Sequence, residues 1–153
     1  FEDLRNCVWA YNEPRSHSGY GIVRFQLVVR GERSGFFGRV VESGSHQNSL
    51  KWIESGQVDA SAIDSTVLEE EIRLIGSLGP SPMPPWVVNT RLPAEVRATL
   101  RTAFLRMHRT AAGRALLEEY RVKRFAAVSD PYYDPIRSMT RLSADIELAA
   151  TAG

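Results

Sequence analysis

Short apolar runs alternate with stretches of helical period through the first half of the chain. That alternation builds a parallel sheet from successive strand–helix–strand units. Val8-Trp9-Ala10-Tyr11 predicts a strand, stopped by Asn12-Glu13-Pro14. A helix is expected from about Ser18 to Val29, closed by the glycine after Arg30 and apolar on most sides, hence largely buried. Val40-Val41 reads as a second strand. Ser45 then caps a helix carrying Leu50, Trp52 and Ile53 and ended by Gly56. Val58 to Ile63 reads as a third strand, built of small residues as if covered on both faces. Thr66-Val67-Leu68-Glu69 matches the capping box of a further helix. Ile72 to Ile75 fits either the end of that helix or a fourth strand.

The pattern breaks at Gly79-Pro80-Ser81-Pro82-Met83-Pro84-Pro85, too proline-rich for a helix or a central strand. A boundary between lobes is placed there. Beyond it, Trp86-Val87-Val88 predicts a short strand. Pro93 then opens a helix with Val96, Leu100, Phe104 and Met107 at helical spacing. Shorter helices are expected from about Thr110 to Tyr120 and from Asp134-Pro135 onward, the last with Ile136, Met139, Leu142 and Ile146 on one face. There is no internal repeat. The expected class is α/β, a mostly parallel sheet flanked by helices, followed by C-terminal helices.

Composition narrows the function classes. With 153 residues, 43% hydrophobic and 24% charged, the chain is ordinary globular protein. No 18-residue apolar window exists, so no direct membrane insertion is expected. The chain opens on Phe1-Glu2-Asp3-Leu4 with no Met and no basic-then-apolar leader, so a processed or truncated piece is expected, with any export signal upstream. A net charge of +1 does not mark a nucleic-acid binder. The arginines after Arg91 are interleaved with Glu95, Glu118, Glu119, Asp145 and Glu147, which gives a solvated mixed surface. Cys7 stands alone, so it forms neither an internal disulfide nor a cysteine metal site.

Candidate chemistry collects at the three strand-to-helix junctions. Arg15-Ser16-His17-Ser18-Gly19-Tyr20 follows the first strand. First-turn amides there lack helical partners and carry partial positive charge at the sheet edge where open α/β sheets bind ligands. Ser16 and Ser18 add hydroxyl donors, and Gly19 allows close approach of a ligand. The group suits a phosphate-like anion. It equally suits a serine that does no more than cap the helix. Glu42-Ser43-Gly44-Ser45-His46 is the second junction, from which His46 could reach the same anion, or could be a surface histidine on a cap turn. Asp64-Ser65-Thr66 is the third. The Walker and dinucleotide glycine patterns are absent. So is the Gly-x-Ser-x-Gly elbow that would expose a nucleophilic serine. Cys7 begins a strand, away from the carboxyl edge. His17, His46 and Asp64 have no metal-ligand spacing on one element. The chain is not expected to be an enzyme, and no cofactor or metal is expected.

Ordered matches along nearly the whole chain add a resemblance. Phe1-Glu2-Asp3-Leu4-Arg5 and Ala10-Tyr11-Asn12-Glu13-Pro14-Arg15-Ser16-His17-Ser18-Gly19-Tyr20 begin the series. Ser43-Gly44-Ser45-His46, Gly56 to Ser65, Arg91-Leu92-Pro93, Gly113 to Leu117 and Tyr133 to Arg137 continue it. Together they resemble the phosphate/phosphite/phosphonate ABC-transporter periplasmic substrate-binding proteins. The resemblance implies a type 2 periplasmic-binding fold whose chain crosses twice between two lobes. Residues 1–84 would be the second lobe, and 85–153 a crossover strand and C-terminal helices returning to a first lobe that is mostly absent.

It also implies capture of a small oxyanion, delivery to a membrane permease, and a periplasmic or extracellular, membrane-anchored location. The family's Ser-x-Ser-Gly grip carries over to Ser16, Ser18 and Gly19, and its Ser-Gly-Ser-His to Ser45 and His46. Two departures stand out. His17 replaces the usual Thr of the turn and adds a donor, or a positive charge when protonated. The acids that hold the amine of an aminophosphonate are missing from Thr66 and from Pro82-Met83-Pro84-Pro85, leaving Asp64 as the only obvious substitute. A ligand-sensing effector domain of a regulator, or a catalytic member of the fold acting on a phosphorylated metabolite, would share these features.

Overall fold

The computed structural model describes residues 1–68 and 72–148, which divide into two compact units. The first comprises residues up to Pro82 together with the chain from Tyr133 onward. The second is Met83–Tyr132.

The first unit is built on a parallel sheet in the order β2-β1-β3: β1 is Val8–Tyr11, β2 Arg39–Glu42 and β3 Ala60–Ser61. β1 is central and pairs Trp9 with Val40 on one side and with Ala60 on the other. Its Trp9 and Ala10 are therefore buried, and Trp9 stacks on Phe37 with ring centroids 4.6 Å apart. α1 (Ile22–Val29) lays Ile22, Val23 and Leu27 into the same core as Leu4, Tyr20, Phe36 and Phe37. α2 (His46–Glu54) buries Leu50 and ends where Gly56 adopts φ +70°, a conformation that favours glycine.

The sequence expectations hold for the first two strands and first two helices, with one refinement. The helix after β1 begins as a wide turn, His17–Gly21, in which the Gly21 amide donates to the Ser16 carbonyl five residues back (2.9 Å). The third strand is shorter than expected. Only Ala60 and Ser61 pair with β1, at Trp9 and Ala10, because the ladder extends no further along β1. The helix expected from Thr66 does not form in the described residues. Asp64, not Thr66, is the cap, and it closes a single 3₁₀ turn, Ser65–Val67, before Leu68 turns extended. Glu69 of that capping box lies outside the described residues. Ile72 to Ile75 form neither helix nor strand.

In the second unit, α3 (Ala94–Arg106) follows Pro93 and α4 (Ala111–Glu119) is capped by Thr110, whose hydroxyl accepts from the Gly113 amide at 3.0 Å. The strand expected at Trp86-Val87-Val88 does not form. These residues join no ladder and remain exposed. Trp86 instead meets Phe104 and Phe125 at ring centroid distances of 4.9 and 5.3 Å. Ring packing has displaced strand propensity there.

The chain rejoins the first unit through α5 (Asp134–Leu142), which packs on α1. The tail is fixed by polar contacts: Arg24 Nη2 donates to the Ala144 carbonyl (2.7 Å) and Tyr20 donates its hydroxyl to Glu147 (3.0 Å). Leu148 completes the core.

Candidate functional site

The site follows from how β1 and β2 end. Ser43 donates its amide to the Tyr11 carbonyl (2.8 Å), so the two junctions start side by side. The Ser43 hydroxyl is buried, 3.1 Å from the Tyr11 carbonyl and 2.6 Å from the Ser49 hydroxyl, which anchors α2 to the end of β1. Ser45 accepts from the Asn48 amide through its hydroxyl (3.1 Å) and so caps α2. His46, the first residue of that helix, is thereby set beside the turn that follows β1.

Within that turn the two serines divide their work. Ser16 Oγ accepts from the Gly19 amide (3.1 Å) and caps the turn. Ser18 Oγ lies 3.1 Å from His46 Nε2 and 3.5 Å from Ser16 Oγ. Among the described residues, the amides of His17 and Ser18 donate to no acceptor, as expected of a helix start. Gly19 is required by proximity. A Cβ there would fall 1.9 Å from Asn12 Oδ1 and 3.2 Å from His46 Cε1.

The three junctions expected to converge do so, apart from two side chains. Ser16, Ser18, Gly19 and His46 form one cluster. Asp64 faces Ser18 and His46 while accepting from both the Thr66 amide (3.0 Å) and the Thr66 hydroxyl (2.7 Å). The His17 ring turns away, and its Nε2 is 3.0 Å from the Ser81 hydroxyl in the proline-rich segment. Ser45 is near, but its hydroxyl is engaged in the cap. Asn12 joins the cluster although sequence reasoning used it only to end a strand. It is 8% exposed and its Nδ2 lies 3.5 Å from His46 Nε2. The available signal was a short amide side chain directly after a buried strand, facing the edge where ligands of such sheets bind.

The electrostatics separate the titratable groups. Burial pushes His46 below the usual histidine range, against the opposing pull of Asp64, the Ala62 carbonyl and Glu13. Burial also lowers His17. Burial acts to raise Asp64, but the Thr66 amide and hydroxyl, His46 and Ser18 outweigh it, and its carboxyl lies below the ordinary aspartate value. Near neutral pH the cluster therefore holds a neutral imidazole and an ionised carboxylate. Hydroxyls, free amides and a neutral imidazole can grip an anion by hydrogen bonds.

Among the described residues no helix is long and apolar enough to cross a membrane. The family model for the phosphonate periplasmic substrate-binding protein of ABC transporters matches residues 1–133, a span that contains the whole sheet and every residue of the cluster. The family is one of non-catalytic binding proteins. The chain belongs to this phosphonate-binding family of ABC-transporter periplasmic substrate-binding proteins.

Proposed function

We propose that the cluster at the carboxyl edge of β1 and β2 is the anion grip of a solute receptor for phosphate, phosphite or a simple phosphonate, which it passes to a membrane permease. The observation that carries this reading is the placing of Ser18 Oγ 3.1 Å from His46 Nε2, on a turn whose His17 and Ser18 amides have no acceptor among the described residues. Ser18 and His46 touch the ligand. The His17 backbone contributes its amide, while its ring acts toward Ser81. Ser16 and Ser45 hold the two turns by capping, and Gly19 allows Asn12 and His46 to approach. On this reading residues 1–84 make up one lobe of a two-lobed receptor.

The ligand class follows from Asp64. A ligand ammonium enclosed in the site needs a carboxylate to offset its lost hydration. Asp64 is the carboxylate that faces both Ser18 and His46, but the Thr66 amide and hydroxyl already occupy one of its oxygens. A compact oxyanion without an amine is therefore preferred. The test is a calorimetric competition among phosphate, phosphite, methylphosphonate and 2-aminoethylphosphonate. The first three are expected to outcompete the last. Tightest binding of 2-aminoethylphosphonate would assign Asp64 to the amine and overturn the preference. Failure of all four to bind would overturn the site itself.

A further inference from the structure

Asn12 lies immediately beyond β1, nine-tenths buried, with its carboxamide wedged between two residues of the cluster. Nδ2 is 3.5 Å from His46 Nε2. Oδ1 occupies the space a Cβ on Gly19 would need, and it is buried with no hydrogen-bond partner among the described residues. A buried unpaired amide oxygen is costly and calls for a reason. The NH₂ edge can only donate, so the imidazole nitrogen it faces must present a lone pair. The ring proton then sits on Nδ1, which is itself buried without a hydrogen-bond partner among the described residues.

This arrangement suits an empty site and opposes a filled one. With Nε2 as an acceptor, the single Ser18 proton has two takers, His46 and Asp64, and an oxyanion is left with the His17 and Ser18 amides as its donors. One proton on Nε2 changes this. Nε2 then no longer accepts from Ser18, and the Ser18 proton is released to the oxyanion. A half-turn of the Asn12 carboxamide exchanges Nδ2 for the unpartnered Oδ1 and presents an acceptor to the new N–H.

We propose that Asn12 is a positioning residue that sets the proton state of His46. In the empty site its Nδ2 holds Nε2 as an acceptor. When an oxyanion binds, His46 takes a proton from solvent on Nε2 and the carboxamide turns over to receive it. The inference rests on the oxyanion reading above. The charged groups facing His46 are Asp64, from the loop after β3, and Glu13, from the loop after β1. Both favour the imidazolium; burial and the Asn12 Nδ2 at Nε2 keep the ring neutral until the ligand adds a further negative charge. Oxyanion affinity therefore rises as pH falls through the interval between the filled-site and empty-site values of His46.

The chain has three histidines, so long-range ¹H–¹⁵N spectra of the ring nitrogens can follow each one. The experiment uses the 153-residue chain near neutral pH, with and without millimolar methylphosphonate. His46 is expected as the neutral Nδ1–H tautomer when empty and as the imidazolium with methylphosphonate bound. N12D, whose carboxylate can only accept, is expected to give the imidazolium without ligand; N12L is expected to bind more weakly and lose the proton uptake. An Nε2–H tautomer in the empty chain, or a neutral His46 at saturation, overturns the proposal. If methylphosphonate moves none of the ring signals, the oxyanion reading fails instead, and the empty-chain tautomer still decides the role of Asn12. The two unsubstituted arms decide it even if N12D fails to fold.

Discussion

The two units were equally legible as secondary structure and differ completely in burial. In the sheet unit, strand and helix patterns converge on one core: Trp9, Val23, Leu27, Phe36, Phe37 and Leu148 are each at most 2% exposed. In Met83–Tyr132, α3 carries an apolar stripe of the right period, yet Val96 and Leu100 are 40% and 39% exposed. Leu117 alone among the described apolar residues of that unit is buried. Period tells which face of a helix is apolar; only a second surface makes that face a core. The chemistry follows the same division, because hydrogen-bonding groups are held to tenths of an ångström only where the backbone beneath them is packed. Every residue of the anion cluster stands on the sheet unit.

The sharpest way to break this contrast is by truncation. F37A removes a ring that stacks on Trp9 and packs edge-on against Phe36. It is expected to cost about 3–5 kcal/mol in urea unfolding. L100A removes a half-exposed side chain and should cost roughly 1 kcal/mol or less, since little area leaves water there. Equal costs for the two would show that the stripe on α3 is covered in solution.

Within the sheet unit, a paired substitution separates gripping from capping. S18A is expected to weaken methylphosphonate binding at least tenfold, about 1.4 kcal/mol, with little change in melting temperature. S45A removes the cap of α2 and should cost about 1 kcal/mol of stability, while shifting affinity less than S18A does. The reverse outcome, a stability loss at Ser18 with affinity untouched, would make that turn a cap and nothing more.

How much of this was legible in the sequence depends on the range of the forces involved. β1, α1, β2, the Ser45 cap and the Gly56 stop are set by a few neighbouring residues, and local pattern finds them. The convergence of Ser18, His46 and Asp64 was readable from topology, since junctions after neighbouring parallel strands open on one edge. What local pattern could not supply was direction. The His17 ring could face the ligand or Ser81, and only the path of the chain at Ser81 decides. Asn12 read as a strand breaker because its value comes from two residues distant in sequence, Gly19 and His46. Trp86-Val87-Val88 has strand propensity but, among the described residues, no neighbouring strand to pair with.

The smallest expected effect tests whether the sheet unit, with its half-buried histidines, is where the fold is sensitive to acid. His17 and His46 both lie below the ordinary value of 6.5 in the folded chain because burial disfavours their charged forms. Above about 6.5 both are neutral folded and unfolded, and they contribute no pH dependence. As pH falls from 6.5 toward the lower folded values, the unfolded chain binds more protons than the folded one, so stability declines with pH in that window. Asp64 acts later and by the opposite charge. Its folded value is depressed, so the stability it contributes is present above 3.8 and is lost only as pH falls through that lower value. Melting temperature should therefore drop between neutral and mildly acidic pH, before the carboxylates titrate. H17Q, which keeps a polar group near Ser81, should flatten that first drop in part, and H17Q with H46Q should flatten it further. A melting curve that stays level until the aspartate range would mean that both histidines charge in the folded chain without penalty, and that the packing around the cluster is looser than its distances imply.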